Sequence, residues 1–279
     1  MSHSLLKKGK QCKIAEELRV DISILYDYML LHKLTNETHV WHISPESVHD
    51  DDMLARFRAM LSSEELTRYR RFRFQRDGHD YLVSHALMRT VLSKYADVAP
   101  RDWQFQRNRY GRPEISRSGN LPPLRFNLTH TRGLAACVIN LSGDCGIDAE
   151  RISLRHAPIK VAMRMFSDAE YTELKTLSNR DQLEYFFTRW TLREAYVKAL
   201  GLGLSFLTRD LTFTIHGEES IEVSTHTGLE PEKQNWQFGL FRPTDEHITA
   251  VAIRNDNQLN KTIVTRVIGV HEMSADAWR

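Results

Sequence analysis

Apolar and polar positions alternate along this chain in two registers, one of helical and one of strand period. Leu82, Ala86, Leu87, Val91 and Leu92 share a helical face, predicting a helix from His79 to about Tyr95. A longer helix is predicted from Gln182 to Leu200, stopped by Gly201. Ser167-Asp168-Ala169-Glu170 has the pattern of a capping box opening another. Ser62 or Ser63 is placed to cap a helix running into an arginine-rich tract, Arg68 to Arg76. Strands are predicted at Val40–Ile43, Trp103–Gln106, Leu124–Leu128, Leu134–Ile139, Cys145–Glu150, Leu211–Ile215, Trp236–Phe241, Ile248–Ile253 and Ile263–Val267. Ser44-Pro45 stops the first, and Gly111-Arg112-Pro113 is a turn between the next two. Regular strand–helix–strand alternation is missing, so the class is α+β with antiparallel sheets.

The order of elements restarts after Arg151, and the halves meet near residue 145. This divides the chain into an N-terminal appendage (1–37), an N-terminal half (38–144) and a C-terminal half (145–279). Leu18, Ile22, Leu25 and Met29 recur at helical spacing within the appendage. The 279 residues fit one large domain or two smaller ones. A content of 41% hydrophobic and 27% charged residues excludes a disordered chain or a collagen. The net charge of +2 argues against a general nucleic-acid coat, so any anion site is local. Three cysteines, none paired at zinc-site spacing, suit a reducing, cytosolic compartment. No apolar run approaches the roughly 20 residues of a bilayer span. Lys7, Lys8, Lys10 and Lys13 resemble the start of a signal peptide, but Glu16, Glu17, Asp21 and Asp27 interrupt the apolar stretch after them.

Four segments carry chemistry. In Gly146-Ile147-Asp148-Ala149-Glu150, residues two apart on a strand share a face, so Asp148 and Glu150 project side by side. Adjacent carboxylates suit Mg²⁺ or Mn²⁺, or else form an exposed strand face. In Trp190-Thr191-Leu192-Arg193-Glu194-Ala195-Tyr196-Val197-Lys198, Glu194 and Lys198 are helical neighbours, either a surface ion pair or a catalytic one. Phe186, Phe187 and Trp190 ahead of it read as core. Thr129 and His130 close Phe126-Asn127-Leu128-Thr129-His130 and can donate to phosphate, although a lone His is more often structural. Arg68, Arg70, Arg71, Arg73 and Arg76 interleave with Tyr69, Phe72 and Phe74, a solvated helix face or a phosphate-binding one. No two histidines have HExxH spacing, so a zinc hydrolase is unsupported.

Taken in order, GRP (111–113), FNLTH (126–130), GIDAE (146–150) and WTLREAYVKALGLG (190–203) resemble the successive motifs of the 4′-phosphopantetheinyl transferases. The match is closer to the long, surfactin-synthetase-activating (Sfp) type, and covers roughly residues 38 to 255. The resemblance implies a pseudo-dimer of two similar α+β halves, with the active site in the cleft between them. It implies Mg²⁺ held by Asp148, Glu150 and Glu194, and Lys198 on the phosphates of the substrate coenzyme A. Thr129 and His130 would grip the 3′-phosphate, and Arg112 and Arg68 would also bind coenzyme A. The catalytic pair would be Glu194 and Lys198, with Glu194 as base or only as metal ligand.

Three positions depart from the family pattern. Arg193 and Arg112 replace lysines, and Thr129 replaces a serine; charge or hydroxyl is kept, but Arg and Lys differ in geometry. The expected reaction is Mg²⁺-dependent transfer of 4′-phosphopantetheine to a serine of an apo acyl or peptidyl carrier protein, releasing adenosine 3′,5′-bisphosphate. A cytoplasmic monomer, with no nucleic-acid or membrane partner, is expected. From the residues alone, two other classes stay open. One is a noncatalytic module binding phosphate or RNA through the arginine tract. The other is a metal-dependent phosphohydrolase using water in place of serine.

Overall fold

A computed structural model describes residues 29–116, 121–153, 158–201, 208–218, 220–225, 235–255 and 260–273. The first sheet contains β1 (Glu37–Ile43), β4 (Leu124–Thr131) and β5 (Leu134–Leu141), joined at its far edge by β11 (Thr262–Val267), in the order β11-β1-β5-β4. The second contains β6 (Cys145–Arg151), β9 (Trp236–Thr244) and β10 (His247–Arg254), in the order β6-β10-β9. Two small ribbons complete the strands: β2 (Phe105–Arg107) with β3 (Pro113–Ile115), and β7 (Leu211–Ile215) with β8 (Ile221–Thr225). The helices are α1 (Asp51–Met60), α2 (Ser63–Tyr69), α3 (Gln75–Ser93), α4 (Pro158–Met165), α5 (Asp168–Thr176) and α6 (Asn179–Leu200).

Strand alternation explains how the layers stack. Trp41, Ile43, Ala135, Cys137 and Ile139 face α3 and bury against Leu82, Ala86, Leu87 and Val91. Their neighbours Val40, Ala136 and Val138 face the other way and meet Cys145, Ile147, Val251 and Ile253 of the second sheet. On that sheet's outer side Phe238, Ala250 and Ala252 pack on Leu192, Ala195, Tyr196 and Ala199 of α6. The two sheets thus lie back to back, each with one long helix outside. This is the α+β, two-half arrangement the sequence implied.

Local signals set several boundaries. Ser62 with Glu65, and Ser167 with Glu170, form complete capping boxes. Gly201, at φ 66°, closes α6 in the left-handed conformation that favours glycine.

Other expectations needed correction. β11 lies in the C-terminal half by sequence, yet pairs in parallel with β1, so the first sheet is not wholly antiparallel. Leu30 and Leu34, within the expected appendage, are buried in the main core; Leu18, Ile22 and Leu25 lie outside the described residues. The arginine tract is not one helix: α2 ends at Tyr69, and a connecting turn leads into α3, which begins four residues before His79. Helix α1 escaped the sequence reading although Asp50 caps it and Met53, Leu54, Phe57 and Met60 recur at helical spacing on the core; strands β3 and β8 are short or half-exposed. No helix among the described residues is long and apolar enough to cross a membrane.

Candidate active site

The site is built where α6 presses on β6. A Cβ added at Gly146 would lie 2.0 Å from the Ala195 carbonyl oxygen and 2.5 Å from the Ala199 amide nitrogen. Only glycine lets the helix backbone approach the strand so closely. That approach brings Glu194 and Lys198, on successive turns of α6, to Asp148 and Glu150 on β6. Lys198 Nζ donates to Asp148 Oδ1 at 2.6 Å, to the Ile147 carbonyl at 3.1 Å and to Thr129 Oγ1 at 3.3 Å. Thr129 Oγ1 also faces Asp148 Oδ1, at 3.4 Å. From the same strand, Asn127 Oδ1 accepts the Ile147 amide at 3.1 Å, fastening β4 to β6.

The electrostatics are those of crowded carboxylates. Burial, followed by the charge of Asp148, pushes the Glu150 carboxyl up to about 7, against the Trp190 hydrogen bond and Lys198. Burial and Asp148 likewise raise Glu194, with Lys198 opposing. Asp148 is 6% exposed, and its Oδ2 is buried with no hydrogen-bond partner. Three hard-oxygen side chains, two resisting ionisation and one holding an unpartnered oxygen, fit a divalent cation such as Mg²⁺. Among the described residues no three such side chains are drawn together as a finished metal site, and the Lys198 ammonium sits on Asp148 instead.

Because β4 side chains alternate, His130 points away from Thr129. It lines a cavity of about 780 Å³ with Arg68, Tyr81, His85, Arg89, Trp103, Phe105 and Arg107. Burial, then the charges of Lys198 and Arg68, lower the His130 pKa. Arg68 lies over the Tyr81 ring at 5.8 Å. Arg89 is buried on Glu65 at 2.6 Å and packs over Phe105. Glu64, Glu65 and Asp102 line the cavity too and pair with Arg107, Arg89 and Arg101, so its charge is mixed; its arginines and aromatic walls suit a ligand with both phosphates and a ring.

Of the residues singled out from sequence, Asp148, Lys198 and Thr129 touch one another, Glu150 and Glu194 lie close enough to feel the charge of Asp148, and His130 and Arg68 line the adjoining cavity. Arg112 does not join them. Its guanidinium is turned to Glu114 at 2.8 Å and Asp144 at 3.1 Å, and to the Ala199 carbonyl at 2.5 Å. Arg193 leaves the site as well, buried against Glu170 and donating to the Leu211 carbonyl at 2.8 Å. Sequence reasoning missed Trp190, which does more than fill the core: its Nε1 donates to Glu150 Oε1 at 3.1 Å. It also missed His85 and Tyr81, whose helical spacing on α3 marks them only as buried.

Two family models match, one after the other. The one described as 4′-phosphopantetheinyl transferase, N-terminal, covers residues 48–140, and the one described as the 4′-phosphopantetheinyl transferase superfamily covers residues 144–252. The chain is 32% identical over 227 residues to 4′-phosphopantetheinyl transferase HetI of Nostoc sp. (strain PCC 7120), spanning 79% of this chain and 89% of that one. It is 31% identical over 170 residues to 4′-phosphopantetheinyl transferase Sfp of Bacillus subtilis, spanning 60% and 73%. A phosphopantetheinyl transferase of Thraustochytrium sp. is 27% identical over 216 residues, 74% of each chain. With its acid cluster and motifs in the family's order, and with relatives matched along most of their length, this chain belongs to the 4′-phosphopantetheinyl transferase family.

Proposed function

We propose that this chain transfers the 4′-phosphopantetheine group of coenzyme A to a serine of an apo acyl or peptidyl carrier protein, with Mg²⁺, releasing adenosine 3′,5′-bisphosphate. The observation that carries this reading is the meeting of Asp148, Lys198 and Thr129, from β6, α6 and β4, beside the cavity that Arg68 and His130 line.

Asp148, Glu150 and Glu194 would hold Mg²⁺. When bound, the ion neutralises charge on the pyrophosphate of coenzyme A. The serine oxygen forms a bond to the β-phosphorus, and the bond from that phosphorus to the bridging oxygen breaks, freeing adenosine 3′,5′-bisphosphate. Serine is a poor nucleophile near neutral pH and needs a base. Glu194, whose pKa is raised by burial and Asp148, is suited to take its proton. Lys198 moves no proton; it steadies phosphate charge. His130 and Arg68 face the cavity and are assigned to the 3′-phosphate end of coenzyme A, with Thr129 on the acid side of β4. The proposed halves, 38–144 and 145–279, then supply the coenzyme A grip and the acid cluster respectively. The two family models meet between residues 140 and 144, in support of that division.

The carrier is assigned to α4. Ala162 and Phe166 are buried in a core with Phe186, while Val161 and Met163 are 37% and 49% exposed beside exposed Lys160 and Arg164. An apolar, basic face suits an acidic helix presenting a serine, and a methionine adapts to several partners. The described cysteines, Cys137 and Cys145, are free and buried, as a reducing cytosol would leave them.

The test is mass spectrometry of an apo carrier protein incubated with this protein, coenzyme A and Mg²⁺. Transfer adds about 340 Da, the mass of the group that coenzyme A donates. An unmodified carrier across a panel of apo acyl and peptidyl carriers overturns the proposal. Hydrolysis of coenzyme A without modification of any carrier selects the phosphohydrolase instead.

A further inference from the structure

The geometry points to a clamp: Arg112 and Asn108 lock the C-terminal end of α6 to the start of β6, and so set the position of Lys198 against Asp148. Arg112 is a positioning residue in this scheme, not a ligand of coenzyme A. The inference rests on the proposed transfer only for its kinetic readout.

Both elements of the acid cluster end in the same place. Lys198 is next to Ala199, whose carbonyl has no partner within the helix because it lies in the last turn. Arg112 Nη1 donates to that carbonyl at 2.5 Å. Two residues on, the Gly201 carbonyl accepts Asn108 Nδ2 at 3.1 Å. The other arm of the Arg112 guanidinium reaches Asp144 Oδ1 at 3.1 Å, immediately before β6, the strand that carries Asp148. One planar cation therefore bridges the end of the helix and the beginning of the strand. It also lies at a helix C-terminus, where positive charge is favoured.

The turn presenting these groups is itself fixed. Asn108 Oδ1 accepts the amides of Tyr110 at 2.9 Å and Arg112 at 3.0 Å, and the Gly111 amide donates to the Asn108 carbonyl at 2.9 Å. Gly111 adopts φ 89°, which a side chain would strain. Gly201 fits beneath the clamp because it has no Cβ: one built there would be 2.9 Å from Asn108 Nδ2 and 3.0 Å from Arg112 Cζ. Asp144 is anchored in turn by Arg254 at 3.2 Å, and Glu114 holds the second side of Arg112 at 2.8 Å. With two carboxylates and a carbonyl around it and its side chain only 14% exposed, this guanidinium is already satisfied.

A clamp and a coenzyme A ligand predict different losses. Arg112→Ala, Arg112→Lys and Asn108→Ala in the full chain are assayed with coenzyme A and an apo peptidyl carrier protein, and by hydrogen exchange without substrate. Loosening α6 misplaces Lys198 and Glu194, so Arg112→Ala is expected to lower kcat about tenfold or more while the coenzyme A KM stays within about twofold. Asn108→Ala falls in the same direction, and Arg112→Lys lies between Ala and the parent, since one ammonium cannot span all three acceptors. Amides at the end of α6 should exchange faster in the Ala variants. A raised coenzyme A KM with kcat and α6 exchange unchanged would overturn the clamp and return Arg112 to the ligand. Should the parent protein modify no carrier, the functional proposal fails, and exchange alone decides the clamp: unchanged protection at α6 in both Ala variants defeats it. If Arg112→Ala does not fold, Asn108→Ala and Arg112→Lys carry the same comparison.

Discussion

Lys198 Nζ stands 2.6 Å from Asp148 Oδ1, while the other oxygen of the same carboxylate is buried with no partner. One oxygen of Asp148 thus meets an ammonium and the other meets no hydrogen-bond donor. Asp148→Asn keeps the shape and removes the charge. We expect Mg²⁺-dependent transfer to fall at least about a hundredfold with far-UV circular dichroism unchanged, the scale of loss when charge stabilisation is removed from a phosphoryl-transfer site. Near-normal turnover at saturating Mg²⁺ in the folded variant would take Asp148 out of the site.

His130 lines the cavity with Arg68, and the charge of Lys198 reaches it from the acid cluster. His130→Ala should weaken binding of coenzyme A more than that of 3′-dephospho-coenzyme A. The difference expected is roughly 1.5–3 kcal/mol, the loss of one charge-assisted hydrogen bond. Calorimetric titration with both ligands gives the answer, and equal weakening would show that His130 does not read the 3′-phosphate.

His85 is stacked on Tyr81 at 3.8 Å and linked through Nδ1 to the Tyr81 carbonyl at 2.9 Å. Burial, only partly opposed by Glu65, lowers its pKa to about 4. The unfolded chain binds a proton below about 6.5 that the native His85 refuses. Its contribution to stability is therefore complete above pH 6.5 and is lost as pH falls from there toward 4, by up to about 3 kcal/mol. Buried Glu150, raised to about 7, acts with the opposite sign, so the test compares two proteins rather than two pH values. The urea midpoint at pH 4.5, taken relative to that at pH 7, should be higher in His85→Gln than in the parent. Parallel pH profiles would mean that His85 titrates normally.

Lys160 and Arg164 flank the exposed Val161 and Met163 on α4. Reversing both charges to Glu should raise the carrier KM several-fold at low salt and leave the coenzyme A KM within about twofold, as a loss of partner binding rather than of chemistry. The effect should shrink as ionic strength rises. Unchanged carrier KM for an acidic carrier would leave α4 as a packing helix, with Phe166 and Ala162 its whole purpose.

Much of this molecule is determined by sequence alone. The period of Leu82, Ala86, Leu87 and Val91 specifies α3, because a helix must turn one face to the core; the capping boxes at Ser62 and Ser167 and the Gly201 stop are written in neighbouring residues. The acids and bases of the site were legible too, since Asp148 and Glu150 share a strand face and Glu194 and Lys198 a helix face through local geometry. Relations between distant segments were decided only by tertiary structure. Nothing in Thr262–Val267 says that it pairs in parallel with β1, because a strand's partner depends on where the chain travels rather than on the strand's own pattern. The same holds for Trp190, read as core and found on Glu150, and for Arg112, whose motif marks it for phosphate while its surroundings supply two carboxylates and a helix end. Gly146 shows both levels at once: the sequence places a glycine before two acids, but only the packing of α6 against it, 2.0 Å from where a Cβ would be, explains why no larger residue would serve.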